Sequence, residues 1–315
     1  MIKISIIKTK NLTKFYGKHR GIENLNLEVQ EGEIFGFLGP NGAGKTTTIR
    51  TLLGLLNKTS GKSSIFGIDT GDRKNSVEIR KKIAYLPGEL GLYTNMTSRQ
   101  NLKFLLSLYD VEVDWAIVEE LASRMHLDMD KKVRELSKGN KQKIGNILVL
   151  APEVNLYILD EPTSGLDPLM QNEFYKILKE RKKQADATVF LSSHLLPEVE
   201  KVADRVGIIR KGTLVEVSSI ASLKKMALKR VEIFTKSNED AKNITNLLPT
   251  DIIQNQQIDN SRLIFLCPTT ELPLLIEQFN RIKSQIQDLQ ITSPALEDIF
   301  FQYYESEKDQ KEKKK

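Results

Sequence analysis

The stretch near the N-terminus that fits the pattern G-x-x-x-x-G-K-[ST] constrains the fold more than any other feature of this chain. It comprises Gly39, Pro40, Asn41, Gly42, Ala43, Gly44, Lys45, Thr46 and Thr47. Glycine accepts a positive φ angle without a Cβ clash, so the backbone N–H groups of such a turn can converge on a phosphate group. The pattern requires a strand before it and a helix after it. The sequence therefore predicts a phosphate-binding loop, here called the phosphate loop.

The residues on either side of the phosphate loop supply that context. Residues 32–38 form an apolar run that predicts a buried strand, and residues 46–53 can open a helix with one apolar face. The unpaired N–H groups and the positive dipole end of such a helix favour anions. We predict that Lys45 reaches the β- and γ-phosphates of a nucleoside triphosphate and that the Thr46 hydroxyl binds Mg²⁺.

Composition bounds the class of protein. A chain of 315 residues can form one large domain or two. It contains no apolar run of about 18 residues, the length that a transmembrane helix needs, and we expect no secretory signal at its N-terminus. The single cysteine, Cys267, excludes an internal disulfide and is typical of a reducing compartment. The net charge of +6 is a mild positive bias, and part of it lies in the C-terminal tail at residues 308–315. Such a tail is usually solvated, and contact with anionic lipid or nucleic acid is the alternative.

Apolar runs of strand length recur along the first two thirds of the chain. Those at residues 83–86, 156–159 and 188–191 are continuous, which is typical of strands covered by helices on both faces of a sheet. Residues 98–150 have mostly helical periodicity, and residues 206–217 predict a hairpin. These elements predict an α/β fold.

A domain boundary is predicted where the sequence becomes basic and its motifs stop. We assign residues 1–224 to the α/β domain, residues 225–306 to a small C-terminal α+β domain and residues 307–315 to a charged, disordered tail. Within the small domain we predict strands at 231–235, 262–267 and 289–292 and helices at 239–248 and 271–281. A last helix is predicted to begin at Ser293-Pro294, since proline favours the first helical position.

Two acidic residues, Asp160 and Glu161, directly follow the apolar run at residues 156–159. A carboxylate at a strand end beside a phosphate loop can hold Mg²⁺, because this hard cation prefers oxygen ligands. This assigns Asp160, with Thr46, to the metal. Glu161 can position and deprotonate a water for attack on the γ-phosphate. Taken alone, two exposed acids that end a strand would be the plainer interpretation, but the phosphate loop upstream favours the metal site.

Four further segments complete a known order of motifs. Residues 136–142 (LSKGNKQ) are similar to the signature usually written LSGGQ, residues 164–167 (SGLD) to the D-loop, and residues 192–194 to the segment of the switch histidine. Tyr16 matches the aromatic residue that stacks on adenine. From this order and spacing over residues 10–217, the chain is identified as resembling the ATP-binding subunit, or nucleotide-binding domain, of an ABC transporter.

The resemblance implies a P-loop NTPase fold of ABC type, with a mixed sheet core and a helical signature subdomain, and it implies ATP and Mg²⁺ as ligands. Two copies would face head to tail, and each ATP would lie between the phosphate loop of one copy and the signature segment of the other. Ser137 and the Gly139 backbone N–H would bind the γ-phosphate in trans, His194 would contact the same phosphate, and Asp167 would act across the interface.

Several details resemble the drug- and antibiotic-exporter branch of this family: Pro-Gly-Glu after Tyr85-Leu86, the LSKGN form of the signature and the ending that starts at Ser293. In that branch the ATPase and the membrane subunit are often separate chains. The resemblance therefore implies an ATP-dependent homodimer, an integral membrane permease as partner and a peripheral position on the cytoplasmic face of the cell membrane. Neither nucleic acid nor a covalent membrane anchor is expected.

The chain departs from the family pattern at two places. The glutamine that normally touches Mg²⁺ or water is replaced by Gly88, followed by Glu89, and the signature has Lys138 and Asn140 where glycine and glutamine are usual. The absent glutamine suggests an alternative, a weakly hydrolysing ATP-gated regulatory module, against which Glu161 argues. A second alternative is a soluble ABC-type ATPase acting on ribosomes or nucleic acid. Such proteins often carry two phosphate loops or a long coiled coil between the motifs, and this sequence has neither.

Overall fold

The continuous apolar runs of the sequence fold into the buried strands of a mostly parallel sheet. The computed structural model describes residues 4–109, 111–222, 228–249 and 252–292. It divides the chain into two compact units, Met1–Ser219 and Ile220–Lys315. The helix predicted from Ser293 onward and the tail at 307–315 lie outside the described residues.

Two sheets organise the N-terminal unit. Its strands are β1 (Ser5–Tyr16), β2 (His19–Gln30), β3 (Ile34–Leu38), β4 (Ser60–Ile65), β5 (Ile68–Asp69), β6 (Ile83–Leu86), β7 (Leu156–Asp160), β8 (Thr188–Ser193), β9 (Arg205–Arg210) and β10 (Thr213–Ser219). The first sheet is antiparallel with the order β2-β1-β4-β5, and the second has the order β10-β9-β3-β8-β7-β6. In the second sheet only β10 runs antiparallel, so the predicted mixed sheet is confirmed.

The parallel strands bring the ends of distant segments together. Every residue of β3, β7 and β8 is buried, as expected of strands that are covered on both faces. Phe35 of β3 stacks on Phe190 of β8, with ring centroids 5.9 Å apart. Because β3, β8 and β7 are neighbours and run parallel, the segments that leave their carboxyl ends meet at one edge of the sheet, which is where open α/β sheets bind ligands.

Helices cover this sheet and form a subdomain beside it. They are α1 (Lys45–Leu52), α2 (Arg73–Lys81), α3 (Ser98–Leu106), α4 (Trp115–Arg124), α5 (Lys138–Leu150), α6 (Pro168–Gln184) and α7 (Leu196–Val202). Helices α3 and α4 both pack on α5, and Leu102, Val118 and Ile147 belong to their shared core. This is the helical subdomain predicted for residues 98–150. Within the described ranges, no helix is both long enough and apolar enough to cross a bilayer.

The C-terminal unit has a βαββαβ order. Its elements are β11 (Leu228–Thr235), α8 (Asn238–Leu247), β12 (Gln254–Asp259), β13 (Arg262–Pro268), α9 (Leu272–Ile282) and β14 (Ile286–Thr292). The sheet is antiparallel with the order β12-β13-β11-β14, which is the arrangement of ferredoxin-like folds. Val231, Phe265 and Cys267 lie in a core of its own, so Cys267 is a buried strand residue, as predicted. Strand β12 was not predicted.

Candidate functional site

The phosphate loop has the backbone that its glycines predict. Gly44, immediately before α1, has φ 110°, a left-handed value that residues with a side chain rarely adopt. A Cβ atom at this position would lie 2.8 Å from the carbonyl oxygen of Gly21, so the neighbouring chain also leaves no room for a side chain. Gly42 has φ 77°. The loop therefore depends on glycine both for its conformation and for the close approach of the neighbouring chain.

Lys45, the first residue of α1, places its ammonium group among oxygen atoms. The side chain is 5% exposed, and Nζ donates hydrogen bonds to the carbonyl oxygens of Gly39 at 2.7 Å and Pro40 at 3.2 Å. Nζ also lies 3.2 Å from Oε1 of Glu161. An ammonium group has three donors, and these three contacts use all of them. The contact with Glu161 joins the phosphate loop to the end of β7.

Asp160 lies beside the first turn of α1. Its side chain is fully buried, Thr46 Oγ1 donates to Oδ2 at 2.7 Å, and Ser192 Oγ donates to Oδ1 at 2.6 Å. A carboxylate and a hydroxyl at this separation form an all-oxygen donor set, which suits Mg²⁺. The contact with Ser192 was not foreseen from the sequence. It follows from strand register, because Asp160 and Ser192 are partners in the β7–β8 pairing.

Glu161 stands between a cation and an imidazole. Its φ of 51° is left-handed, which is uncommon for a residue with a side chain and often marks functional sites. One carboxylate oxygen faces Lys45, and the other lies 3.3 Å from Nδ1 of His194. The backbone N–H of Glu161 donates to the Ser192 carbonyl at 3.2 Å, so the turn is fixed against the end of β8. The structure thus brings Lys45, Glu161 and His194 together.

Tyr16, at the end of β1, lies beside the same loop. The residue is 45% exposed, and its hydroxyl is 3.4 Å from Oγ1 of Thr47. The Lys14 ammonium lies 5.2 Å from the ring centroid. An exposed aromatic ring at this place has a face on which a flat base can stack.

The signature segment and the D-loop form a second group of predicted residues. Ser137 caps α5 and accepts a hydrogen bond from the Asn140 N–H at 3.3 Å. A Cβ atom at Gly139 would lie 2.4 Å from the carbonyl oxygen of Gly165, so the start of α5 touches the D-loop directly. Asp167 caps α6, and hydrogen bonds from the Met170 and Leu169 N–H groups lower the pKa of its carboxyl group. Among the described residues, Ser137, Gly139 and Asp167 make no hydrogen bond or ion pair with the phosphate loop.

Position 88 adjoins the Asp160 carboxylate. A Cβ atom at Gly88 would lie 3.4 Å from Oδ2 of Asp160. Glu89 is exposed, and no hydrogen bond of the described residues joins it to Asp160. Burial, and next the charge of Asp160, raise the pKa of the nearby Tyr85 phenol. A side chain at position 88 would therefore contact the acidic group of the site, and this chain has none there.

Known proteins resemble this chain in sequence and in fold. A profile of the family described as "ABC transporter" matches residues 22–164. The bacitracin transport ATP-binding protein BcrA of Bacillus licheniformis is 42% identical over 230 residues, which cover 72% of this chain and 74% of that protein. A solved ATP-binding subunit of an ABC transporter is 29% identical, with a TM-score of 0.62, and the match covers 70% of this chain and 92% of that one. The dimeric structure of the bacterial ABC transporter cassette MJ0796 is 25% identical, with a TM-score of 0.62 and coverage of 68% and 98%.

The sequence similarity and the fold indicate the same family. The relative named for bacitracin transport confirms the predicted resemblance to the drug- and antibiotic-exporter branch. The phosphate loop and the acidic pair of Asp160 and Glu161 lie within the matched family region. The chain therefore belongs to the ABC transporter family, as one of its ATP-binding, ATP-hydrolysing proteins.

Proposed function

We propose that two copies of this chain close around two ATP molecules with Mg²⁺, and that ATP hydrolysis then drives export through a separate permease. The observation that carries the proposal is a chain of contacts at one edge of the parallel sheet. Glu161 contacts both Lys45 and His194, and the neighbouring Asp160 accepts a hydrogen bond from Thr46. The similarity to BcrA and to the dimeric MJ0796 cassette supports the transport role and the dimer. The chain would be held peripherally on the cytoplasmic face of the membrane by its permease.

ATP binding follows from the phosphate loop. Its backbone N–H groups and the N-terminus of α1 would face the phosphates, and Lys45 would bind the β- and γ-phosphate oxygens. The adenine would stack on Tyr16. Phosphate oxygens would compete with Glu161 for the Lys45 ammonium, because that ammonium group has no spare donor. This competition would release the Glu161 carboxylate for the next step.

The oxygen donors of Thr46 and Asp160 would hold Mg²⁺. When bound, Mg²⁺ neutralises charge on the β- and γ-phosphate oxygens. The hydroxyl of Ser192 keeps the Asp160 carboxylate in place from the opposite side. The absence of a side chain at Gly88 leaves this set without the amide that the family usually adds.

Hydrolysis would use Glu161, which follows β7, and His194, which follows β8. Glu161 would orient a water molecule and accept its proton as the water attacks the γ-phosphate, and His194 would hold the same phosphate and polarise the water. The hydrogen bond from the Glu161 N–H to Ser192 would keep the two turns in register during this step.

The second group of residues would act on the other copy. Ser137 and the Gly139 N–H stand at the start of α5, where a helix offers donors to a phosphate, and Asp167 would reach across the interface. Loss of the γ-phosphate would remove a contact that exists only in the closed pair, so the two copies would separate. The direct contact of Gly139 with the D-loop would make these two segments move together.

The variant Glu161→Gln tests the ATP-dependent dimer. The amide would keep the shape of the side chain but could not accept the proton, so we expect slow turnover and a dimer that persists with ATP and Mg²⁺. Size-exclusion chromatography coupled to light scattering would measure the mass with and without ATP. The double variant Lys45→Ala/Glu161→Gln is the control and should stay monomeric. A Glu161→Gln protein that stayed monomeric with saturating ATP would contradict the proposal.

Purification from native membranes tests the permease. The tagged chain would be extracted in mild detergent, and copurifying proteins would be identified by mass spectrometry. We expect a polytopic membrane protein in comparable amount, and that partner would hold the specificity for cargo. Recovery of the chain with ribosomes or nucleic acid instead, without a membrane protein, would favour the alternative ATPase acting on those complexes.

A further inference from the structure

A buried carboxylate that none of these steps uses lies behind the turn of His194. Glu198, in the first turn of α7, is 7% exposed. Its Oε2 accepts hydrogen bonds from the hydroxyl groups of Thr163 at 2.9 Å and Ser193 at 2.8 Å. A buried charge is costly unless hydrogen bonds compensate it. Two hydroxyl donors that converge on one oxygen atom supply such compensation.

Ser193 fixes the backbone on both sides of His194. Its Oγ accepts a hydrogen bond from the Leu195 N–H at 3.0 Å while it donates to Glu198. A hydroxyl that bonds to the backbone two residues later closes a small turn, and His194 is the residue in the middle of that turn. The direction of the imidazole toward Glu161 therefore depends on the Ser193 hydroxyl, which Glu198 holds.

Thr163 fixes the turn that follows Glu161. It lies two residues after Glu161, is 3% exposed, and its carbonyl accepts a hydrogen bond from Leu166 of the D-loop at 3.0 Å. The same carboxylate oxygen of Glu198 thus holds the turn that follows Glu161 and the turn that carries His194.

The surroundings of Glu198 contain hydroxyl groups rather than cations. In the described part of the chain no lysine or arginine pairs with it, and the buried Tyr175 hydroxyl lies beside it. Burial, and next the charge of Glu198, raise the pKa of the Tyr175 phenol. The N-terminal end of α7 favours a negative charge at this place.

We propose that Glu198 is a positioning residue for ATP hydrolysis. Through Ser193 and Thr163 it holds the imidazole of His194 and the carboxylate of Glu161 in the relative orientation that the attacking water requires. Glu198 itself does not touch the nucleotide. The inference rests on the proposed roles of Glu161 and His194.

Steady-state ATP hydrolysis by the full chain tests this role. We expect Glu198→Ala to lower kcat about 10- to 100-fold, because small misplacements of catalytic groups have effects of this size. The KM for ATP should stay within about 2-fold of the wild type, because Glu198 itself makes no hydrogen bond to a described residue of the phosphate loop. In Glu198→Gln the amide oxygen can still accept both hydrogen bonds, and kcat should return to within about 3-fold of the wild type. Glu31→Gln, a change of an exposed carboxylate, is the control.

A double-mutant cycle with His194→Ala separates positioning from general stability. If Glu198 acts through His194, Glu198→Ala should lower kcat far less in the His194→Ala background than in the wild type. Equal effects in both backgrounds would overturn the inference, as would equal kcat values for Glu198→Ala and the wild type. Should His194→Ala itself keep full turnover, the proposed function of His194 would fail instead.

Two smaller changes keep the test valid if Glu198→Ala does not fold. Thr163→Val and Ser193→Ala each remove one of the two hydroxyl donors and leave the carboxylate in place. We expect each to lower kcat about 3- to 10-fold with an unchanged KM for ATP. Wild-type kcat in both variants would overturn the inference.

Discussion

At the scale of single residues, position 88 is where one side chain would alter the metal site most directly. A Cβ atom there would lie 3.4 Å from Oδ2 of Asp160, which is ordinary van der Waals contact, so a side chain can start at this position without a backbone shift. Its amide oxygen would add a neutral ligand beside a carboxylate. We expect Gly88→Gln to lower the Mg²⁺ concentration for half-maximal ATP turnover about 2- to 5-fold. A Mg²⁺ titration at fixed ATP would measure this.

The control for that change is Gly91→Gln. It adds the same side chain where no atom lies within 4 Å of the new Cβ, so the Mg²⁺ requirement should remain that of the wild type. An equal shift in both variants would show that the effect comes from the loop rather than from contact with Asp160. An unchanged requirement in Gly88→Gln would place the metal away from this side of the carboxylate.

Single site residues can be predicted from the sequence where a motif has fixed spacing. Lys45 is recognisable from the spacing of the phosphate loop, and Asp160 and Glu161 are recognisable because two acids stand where an apolar run ends. Ser192 and Glu198 were not predicted, although both bond to this machinery. Their contacts depend on the register of β7 and β8 and on the position of α7. No short stretch of sequence predicts that register or that position.

At the scale of elements, the start of α5 and the D-loop behave as one piece. The Cβ that Gly139→Ala would add lies 2.4 Å from a backbone oxygen, a distance that real Cβ atoms do not tolerate. We expect this variant to bind ATP as a monomer but to lose the ATP-dependent dimer in the Glu161→Gln background, because the first turn of α5 must move. Light scattering would measure the dimer and fluorescent ATP the binding. Gly91→Ala adds the same carbon in open space and should keep both.

Strand β12 shows why one element escaped prediction. All six residues of Gln254–Asp259 are exposed, so the strand has no apolar alternation. Its pairing with β13 comes from the backbone, while β13 itself alternates between buried and half-buried residues and was predicted. Strands that bury a face can be recognised from sequence. A polar edge strand is specified by its neighbour, which only the fold reveals.

Glu232 gives the C-terminal sheet a pH dependence. Hydrogen bonds from Arg262 and Arg230 hold the pKa of this carboxyl group below its usual value. A lowered folded-state pKa contributes stability above the unfolded value of about 4.3, and this contribution is lost as pH falls through the folded-state pKa. Hydrogen exchange of β11 and β13 amides should therefore quicken more in the wild type than in Glu232→Gln as pH is lowered from about 5 to 3, after correction for intrinsic rates. Equal changes in the two proteins would contradict this.

At the scale of the whole molecule, the predicted site residues all belong to one of the two compact units. Every predicted site residue lies within Met1–Ser219, and the C-terminal unit has its own core around Val231 and Phe265. We propose that the domain boundary lies near residues 224 and 225 and that the C-terminal unit regulates or dimerises the ATPase. The family motifs predict the first unit. The second has no motif of its own, so only its pattern of strands and helices could be predicted.

A cleavable form of the full chain tests this separation. A specific protease site inserted after Ser222 would divide the chain just before the proposed boundary. Because the described residues of each hydrophobic core belong to one unit alone, we expect both fragments to keep their circular dichroism. We expect the first fragment to keep ATP turnover within about 3-fold of the uncut chain. The same insert left uncut is the control.

If the C-terminal unit dimerises the ATPase, cutting should raise the ATP concentration needed for the Glu161→Gln dimer. Loss of turnover on cutting would instead show that the active site depends on the C-terminal unit, against the proposed boundary.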